Sequence, residues 1–421
     1  MTFTTFNECL DDIYRSYMSI KYTVEGKRDS EVRDPTIVIS IATELQILPK
    51  KADTIKITGS KGKGTVSRIV NNILVDNIQN ATVGLLVSPE EFDHNDRMKI
   101  NNQEISKEEF IRVYNLLKPT LLKYEEEFTG LDYLSPSGLF LLIGLYWFKE
   151  NSVKHYVLEL GRGAKYDEVG QIPSALSTIT SILDEHASYL GPEIKDIAFN
   201  KFYVHKNSDI LILGPLSSEA NKKYQIIEDE KVIHVSDKIN DSSKPHWYLL
   251  DEKIAMITAS KYCEYHKLST PKKSSKVVSA SFGMESINNT KIIYEPLVSI
   301  ESIDEKFIKN LVKNHKNLTV LASLPDDKDI VKLIDFFKNQ DIDIRLITLS
   351  GTRGYLHYET TNKYYKEIIL DDISYLDIES MVKIVDKFSL TSDVLYLLGT
   401  HTYIRLVKMA LRNLNEGVET L

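Results

Sequence analysis

The chain has 421 residues, which at roughly 100–200 residues per domain predicts two or three domains. Hydrophobic residues make up 42% and charged residues 27% of it, as in a globular protein with a sizeable core. The formal net charge of −8 argues against a dedicated nucleic-acid binder, which is usually basic. A local group of backbone N–H donors could still bind an anionic nucleotide within an acidic protein.

The two cysteines, Cys9 and Cys263, lack metal-ligand spacing and cannot form a disulfide framework. Residues 1–22 are polar and acidic throughout, without the apolar stretch of a signal peptide. The longest apolar run, 139–148, is too short to span a bilayer and predicts a buried helix. We therefore expect a cytoplasmic protein with neither a membrane nor a nucleic-acid partner, and its oligomeric state stays open.

Apolar periodicity predicts alternating helices and strands up to about residue 213. The predicted helices are 6–17, 34–45, 66–75, 107–124, 137–149 and 192–201. The predicted strands are 55–57, 82–87, 155–160, 177–183 and 210–213. Such alternation predicts a parallel sheet wrapped in helices.

The pattern weakens between residues 242 and 281, where 272–276 is typical of a solvated loop. It resumes with strands at 291–294, 318–321, 342–349 and 394–398 and helices at 330–338 and 401–413. We predict an α/β protein with a domain boundary near residue 288. Residues 1–288 would form the larger domain, built on a parallel sheet, and residues 289–421 a smaller Rossmann-like α/β domain.

A glycine-rich loop follows the first predicted strand and precedes a helix: Gly59-Ser60-Lys61-Gly62-Lys63-Gly64-Thr65. Glycines let successive N–H groups point at phosphate oxygens, and the helix adds its positive N-terminal end. Lys63 would reach the terminal phosphates of ATP, and Thr65 would offer its hydroxyl to Mg²⁺. The spacing differs from the common Walker form, being two residues shorter between the glycines, with Gly64 inserted before Thr65. The loop predicts that residues 1–288 form a P-loop parallel-sheet ATPase domain. The alternative is a glycine loop without a ligand.

Further sequence blocks follow this loop in order. They are Gly84–Pro89, Asp96–Ser106, Glu159–Asp167, Ile179–His186 with Leu190-Gly191, Ile197–Lys201 and Asp327-Lys328-Asp329. Together with the loop they resemble the folylpolyglutamate synthase and dihydrofolate synthase branch of the Mur ligases. The resemblance implies a two-domain enzyme that uses ATP to join a carboxylate to an amino acid through an acyl phosphate.

The resemblance also implies roles for particular residues. Lys63, His186 and Lys201 would be catalytic, and Ser88, Glu159, His186 and Thr65 would hold Mg²⁺. Lys201 matches a carbamylated lysine that would bind a second Mg²⁺. Read one by one, these residues have plainer interpretations: a turn cap for Ser88, a surface strand end for Glu159 and a core histidine for His186. Lys165 and Asp167 match less well, because lysine cannot reproduce the bidentate fork of the family's arginine at 165.

Several family residues are missing from this sequence. Gly283-Met284 replaces a G-R whose arginine reaches ATP phosphates, and Glu295–Ser299 replaces D-G-A-H-N. Further replacements are Ser137-Gly138 for F-E, Val169-Gly170 for T-N, and Glu90 for the histidine after Ser88-Pro89. Two readings compete: a ligase with an altered acid or amine, folate and L-glutamate being the first candidates, or a degenerate homologue that binds nucleotide as a non-catalytic or regulatory subunit. An ATPase that hydrolyses without ligation is a third.

Overall fold

The computed structural model describes residues 2–228, 232–274, 282–296, 303–324, 330–350 and 368–416. Contacts divide the chain into two compact units, Met1–Ile239 with Leu250–Lys276, and Asn240–Leu249 with Val277–Leu421. Each unit is a sheet with mostly parallel strands accompanied by helices, which confirms the predicted α/β class. No helix in the described ranges is long and apolar enough to cross a membrane.

The first unit is built on an eight-stranded sheet with the order β4-β3-β2-β5-β1-β6-β7-β8, parallel except along β2-β3-β4. Its strands are β1 Thr54–Thr58, β2 Val83–Leu86, β3 Met98–Ile100, β4 Gln103–Glu104, β5 His155–Glu159, β6 Ser174–Ile179, β7 Ser208–Leu213 and β8 Val232–His234. Its helices are α1 Phe6–Val24, α2 Asp29–Val32, α3 Thr36–Glu44, α4 Lys63–Asn77, α5 Lys107–Glu125, α6 Pro136–Glu150, α7 Glu168–Gln171, α8 Ala187–Leu190, α9 Ile194–Lys201 and α10 Pro215–Tyr224. A further helix, α11 His246–Tyr265, belongs to this unit from Leu250 onward, and its first turn belongs to the second unit.

The centre of this sheet is buried on both faces. Every residue of β1 and β6 is buried, which is typical of parallel strands covered by helices on either side. Helix α6 is buried nearly all round and belongs to the same hydrophobic core as Leu158 of β5 and Phe110 of α5. This packing fixes the carboxyl ends of β1, β5 and β6, where loops of an open α/β sheet collect ligand-binding residues.

The second unit has a six-stranded sheet with the order β13-β12-β11-β14-β10-β9, in which only the edge pair β9–β10 is antiparallel. Its strands are β9 Gly283–Ile287, β10 Thr290–Pro296, β11 Leu318–Ser323, β12 Asp343–Ser350, β13 Ile369–Ser374 and β14 Val394–Gly399. Its helices are α12 Glu305–Asn314, α13 Ile330–Lys338, α14 Ile378–Ser389 and α15 His401–Glu416.

The structure differs from the sequence predictions in identifiable places. Helix α11 occupies the stretch where the pattern weakens, because its buried face includes the polar Asp251 and Thr258 and so breaks the apolar periodicity. Strand β6 ends at Ile179 rather than at 183, since the following residues bind the glycine loop. The boundary at 288 stays a prediction; β9, which it assigns to the first domain, pairs with β10.

Candidate active site

The glycine loop lies at the carboxyl end of β1, between the parallel strands β5 and β6. Gly59 has φ +142°, and a Cβ placed there would lie 2.9 Å from the amide nitrogen of Ser181 and closer still to Thr180 Oγ1. Gly62 has φ +82°, and its Cβ would lie 2.7 Å from Asp251 Oδ2. Both positions therefore require glycine, for backbone conformation and for space.

The loop is tied to the segment that follows β6. Ser60 N donates to Ser181 O at 2.8 Å, and Lys61 N donates to Ser181 Oγ at 2.9 Å. Leu183 N donates to Ser60 Oγ at 3.0 Å, and Thr180 Oγ1 donates to Lys61 O. The loop is thus shaped by the protein itself, and it leads into α4, whose first-turn N–H groups lack partners within the helix.

The two lysines of the loop have different surroundings. Lys63 Nζ turns back over the loop and donates to Ser60 O at 3.4 Å. Lys61 Nζ lies 3.2 Å from Glu185 Oε2, and its side chain is 55% exposed. Lys63 therefore stays beside the loop backbone, whereas Lys61 is engaged at the surface by a carboxylate.

Glu159 ends β5 and brings a carboxylate to the loop. It is 5% exposed, and its Oε2 accepts the N–H of Ser88 at 3.2 Å. A Cβ placed at Gly64 would lie 3.4 Å from the same oxygen. Burial raises the pKa of Glu159, while the cationic Lys63 and Arg68 oppose that shift. The structure therefore brings Glu159 and Ser88 together beside the start of α4, where Thr65 is also buried.

Lys201, the last residue of α9, is fully buried beneath the loop. Its Nζ donates to Gly59 O at 2.9 Å and to Arg162 O at 2.6 Å. Burial, followed by the neighbouring charge of Lys63, lowers the pKa of Lys201 to about 7. A large share of Lys201 is therefore an uncharged amine near neutral pH.

His186 is more exposed than the other residues predicted to hold Mg²⁺. It precedes α8 with φ +58°, its side chain is 43% exposed, and Nε2 lies 3.9 Å from Glu185 Oε1. Burial lowers the pKa of His186, Glu185 opposes the shift, and Lys201 and Lys63 lower it further. Among the described residues, no three His, Cys, Asp or Glu side chains form a cluster that could hold a metal ion. A cation here would depend on hydroxyls, phosphate oxygens and water as well.

Two residues that lie at the loop, Arg68 and Asp251, are not among those predicted from the sequence. Arg68 follows Gly64 by one helical turn and donates from Nη1 to Gly64 O at 3.2 Å, a relationship that helical spacing could have revealed. Asp251 comes from α11, and no local pattern signals its approach to Gly62. Asp251 is 7% exposed, and its Oδ2 is buried without a hydrogen-bond partner among the described residues. Burial raises the pKa of Asp251 to about 8.

Glu168 packs against the segment Ser137-Gly138. Glu168 Oε1 lies 3.3 Å from where a Gly138 Cβ would be and accepts from Ser135 Oγ at 2.5 Å. Its Oε2 accepts from Arg33 Nη2 at 2.7 Å. The neighbouring Asp167 caps α7, and burial together with Glu168 raises the pKa of Asp167 to about 6. Glu168 thus fills the space beside Gly138 with a carboxylate from a different part of the chain.

In the second unit, Glu295 stands where the family's acidic D-G-A-H-N block begins. It accepts from Trp247 Nε1 at 2.6 Å and from the hydroxyl of Tyr396. Burial raises the pKa of Glu295 to about 7, although both hydrogen bonds oppose the shift. Met284 lies in β9, in the position of the missing arginine. The predicted match at Asp327-Lys328-Asp329 and the end of the block at Leu297–Ser299 fall outside the described residues.

Comparison with known proteins adds to this geometry. No family model matches the chain. It is 25% identical over 223 residues to the dihydrofolate synthase/folylpolyglutamate synthase of Haemophilus influenzae, covering 52% of this chain and 48% of that enzyme. It is 29% identical over 198 residues to the protein of the same name from Buchnera aphidicola subsp. Acyrthosiphon pisum, covering 45% and 46%. The chain matches about half the length of these curated relatives.

Solved structures agree over nearly the whole fold. The apo form of L. casei FPGS superposes with a TM-score of 0.73 at 15% identity, over 97% of this chain and 100% of that chain. The E. coli protein FolC in complex with DHPP and ADP gives a TM-score of 0.69 at 16% identity, over 97% and 98%. At such identities the likeness concerns the fold, and the sequence matches carry the closer relationship. In sequence, the chain is similar to folylpolyglutamate and dihydrofolate synthases over about half its length. In fold, it is similar to solved folylpolyglutamate synthases over nearly all of it.

Proposed function

We propose that the protein is an ATP-dependent ligase that joins a carboxylate to an amino acid through an acyl phosphate. The observation that carries the proposal is the loop of Gly59–Thr65, which is held by hydrogen bonds to the segment after β6. Lys63 folds over this loop, and Glu159 and Lys201 lie against it. The names of the relatives support a folate-like acid and L-glutamate as the first substrates to test.

Magnesium fits the residues beside the loop. Glu159 is a buried carboxylate whose one hydrogen-bond donor in the described part of the chain is the N–H of Ser88, so it retains lone pairs for a cation. Thr65, Ser88, Glu159 and His186 would hold the ion together with phosphate oxygens and water. When bound, it would supply positive charge that neutralises the triphosphate.

Lys201 fits the carbamylation implied by the family. A neutral amine has two N–H donors, which match the carbonyls of Gly59 and Arg162, and one lone pair. Attack of that lone pair on CO₂ forms an N–C bond and releases one proton, leaving a carbamate anion. This anion would help to hold a second Mg²⁺, and the lowered pKa of Lys201 makes the reactive amine available.

The protein's part in the reaction is positioning and charge stabilisation. The first-turn amides of α4 and the ammonium of Lys63 would hold the β- and γ-phosphates while the substrate carboxylate attacks the γ-phosphate. The bond from the γ-phosphorus to the bridging oxygen then breaks, so that ADP leaves and an acyl phosphate forms. The incoming amine would then attack the acyl carbon, and phosphate would leave as the amide forms. Neither step requires a protein nucleophile, which agrees with a site made of backbone donors and cations.

A nucleotide-binding homologue without ligase activity is the alternative. Met284 in place of the arginine, and the absence of the His-Asn pair after Glu295, favour it. Phosphate release from ATP separates the readings when it is measured across candidate acids and amines. Release that requires both an acid and an amine supports a ligase, release without either supports an ATPase, and binding without turnover supports the homologue.

Lys63→Ala tests the site itself. We expect it to abolish phosphate release and weaken ATP binding, whereas the surface control Lys123→Ala, whose side chain pairs with Glu44 on the surface, leaves both unchanged. Unchanged nucleotide affinity in Lys63→Ala would refute the assigned pocket.

A further inference from the structure

Arg68 directs its side chain back toward the phosphate loop. Its Nη1 donates to Gly64 O at 3.2 Å, and a Cβ at Gly64 would lie 2.8 Å from Nη1. The same Cβ would lie 3.4 Å from Glu159 Oε2. A guanidinium, the first turn of α4 and a buried carboxylate therefore surround one point, the residue after Lys63.

Most of the N–H donors of Arg68 have no partner among the residues that the structure describes. The side chain carries five N–H donors and stays charged, yet Arg68 is only 6% exposed. Within the described ranges, its one recorded hydrogen bond is to Gly64 O, and its Nε is buried with no partner. Glu159 is near enough for its pKa to be affected by Arg68, but the two do not form an ion pair in the described structure. A buried guanidinium with spare donors calls for an anionic partner.

The groups around the guanidinium of Arg68 indicate which anion would bind it. It must lie beside the first-turn amides of α4 and Lys63, where the proposed function places the terminal phosphates of ATP. A guanidinium presents a planar fork that can hold two phosphate oxygens, which the point charge of Lys63 cannot do.

We propose that Arg68 is a further nucleotide-contacting residue, whose guanidinium donates to the γ-phosphate of bound ATP and supplies charge from within the phosphate-loop helix. This inference rests on the proposed function for the identity of the nucleotide. The alternative role for Arg68 is only to balance the charge of Glu159. Contact with the γ-phosphate and charge compensation predict different effects on nucleotide binding.

The test compares ADP with the β,γ-methylene analogue of ATP by isothermal titration calorimetry, with and without Mg²⁺. We expect Arg68→Gln to weaken binding of the analogue about 10- to 100-fold, because a charge-assisted hydrogen bond to the third phosphate is lost. ADP affinity should fall far less. Arg68→Lys, which keeps the charge and loses the fork, should give an intermediate loss. Arg112→Gln, an exposed arginine paired with Glu109 and Glu150, is the matched control.

The Glu159→Gln background separates the two roles of Arg68. If Arg68 contacts the phosphate, Arg68→Gln still weakens analogue binding in that background. An equal loss for ADP and the analogue, or no loss once Glu159 is neutral, would overturn the proposal. Wild-type protein that binds neither nucleotide would overturn both this inference and the proposed function. A selective loss for the analogue, alongside phosphate release that needs no acid or amine, would uphold Arg68 and refute only the ligase assignment.

Discussion

The Nζ atom of Lys201 lies 2.9 Å from the carbonyl oxygen of Gly59, the first residue of the phosphate loop. The contact joins the end of α9 to the end of β1, so the chemical state of one side chain bears directly on the loop.

Lys201→Ala should abolish ligation, because it removes both the support for Gly59 and the amine that would carry CO₂. Short carboxylates such as acetate should restore part of the activity by supplying the missing anion. Phosphate release measured with and without acetate provides the check. Lys206→Ala, a change on the neighbouring surface, serves as the control. Absence of rescue, with no CO₂-derived mass on intact wild-type protein, would rule out carbamylation.

Gly59→Ala should prevent nucleotide binding and lower the free energy of unfolding by about 1–3 kcal/mol, because φ +142° is strained for alanine and its Cβ meets Thr180. Gly26→Ala is the matched control, since Gly26 has φ +78° but no heavy atom within 4 Å of its Cβ position. We expect that control to cost about 1 kcal/mol and leave binding intact. Urea unfolding and calorimetry measure the two effects. Tight nucleotide binding by Gly59→Ala would contradict the loop geometry.

Gly59 and Lys201 illustrate how much of the candidate site could be predicted from the sequence. The strand, the glycine loop and the helix were predictable, because a buried strand, several glycines and an apolar helix face are local patterns. Glu159 and Lys201 were identified through the ordered resemblance, since neither an isolated acid nor an isolated lysine signals a site. Asp251 was not predictable: it reaches Gly62 from a helix whose polar buried face hides its periodicity.

Asp251→Asn should change the pH dependence of stability. Burial raises the pKa of Asp251 from 3.8 to about 8, so the folded form prefers the protonated acid. Its contribution to stability is complete below about pH 4 and is lost as pH rises toward 8, by up to about 1.4 kcal/mol per pH unit. In urea unfolding at several pH values, the free energy of unfolding of Asp251→Asn should rise relative to that of the wild type as pH increases across this window. Parallel stability profiles would contradict a buried neutral Asp251.

Glu168→Ala should lower the free energy of unfolding by about 3–5 kcal/mol, because it leaves the buried guanidinium of Arg33 without its carboxylate. The double variant Arg33→Met with Glu168→Met should recover much of the loss, since no charge then stays buried. Chemical denaturation of the single and double variants measures this difference. Glu109→Ala, which breaks an exposed pair with Arg112, should cost about 1 kcal/mol or less. Equal losses in the Glu168 and Glu109 variants would show that the buried pair has no special role.

Trp247 should report the titration of Glu295, because its indole N–H donates to that carboxylate at 2.6 Å. In a Trp147→Phe background, the fluorescence of Trp247 should change with a midpoint near pH 7, where Glu295 passes from neutral acid to carboxylate as pH rises. Glu295→Gln should remove the transition. A transition that persists in that variant would have to come from another group.

The bonds from Ser60 and Lys61 to the segment after β6 have a consequence for exchange kinetics. The entropy of ordering this loop is lost when the chain folds, not when a ligand arrives. Nucleotide binding should therefore require little rearrangement of the loop backbone, and the product nucleotide should dissociate without unfolding the loop. Turnover would then be limited by chemistry or by movements elsewhere in the protein.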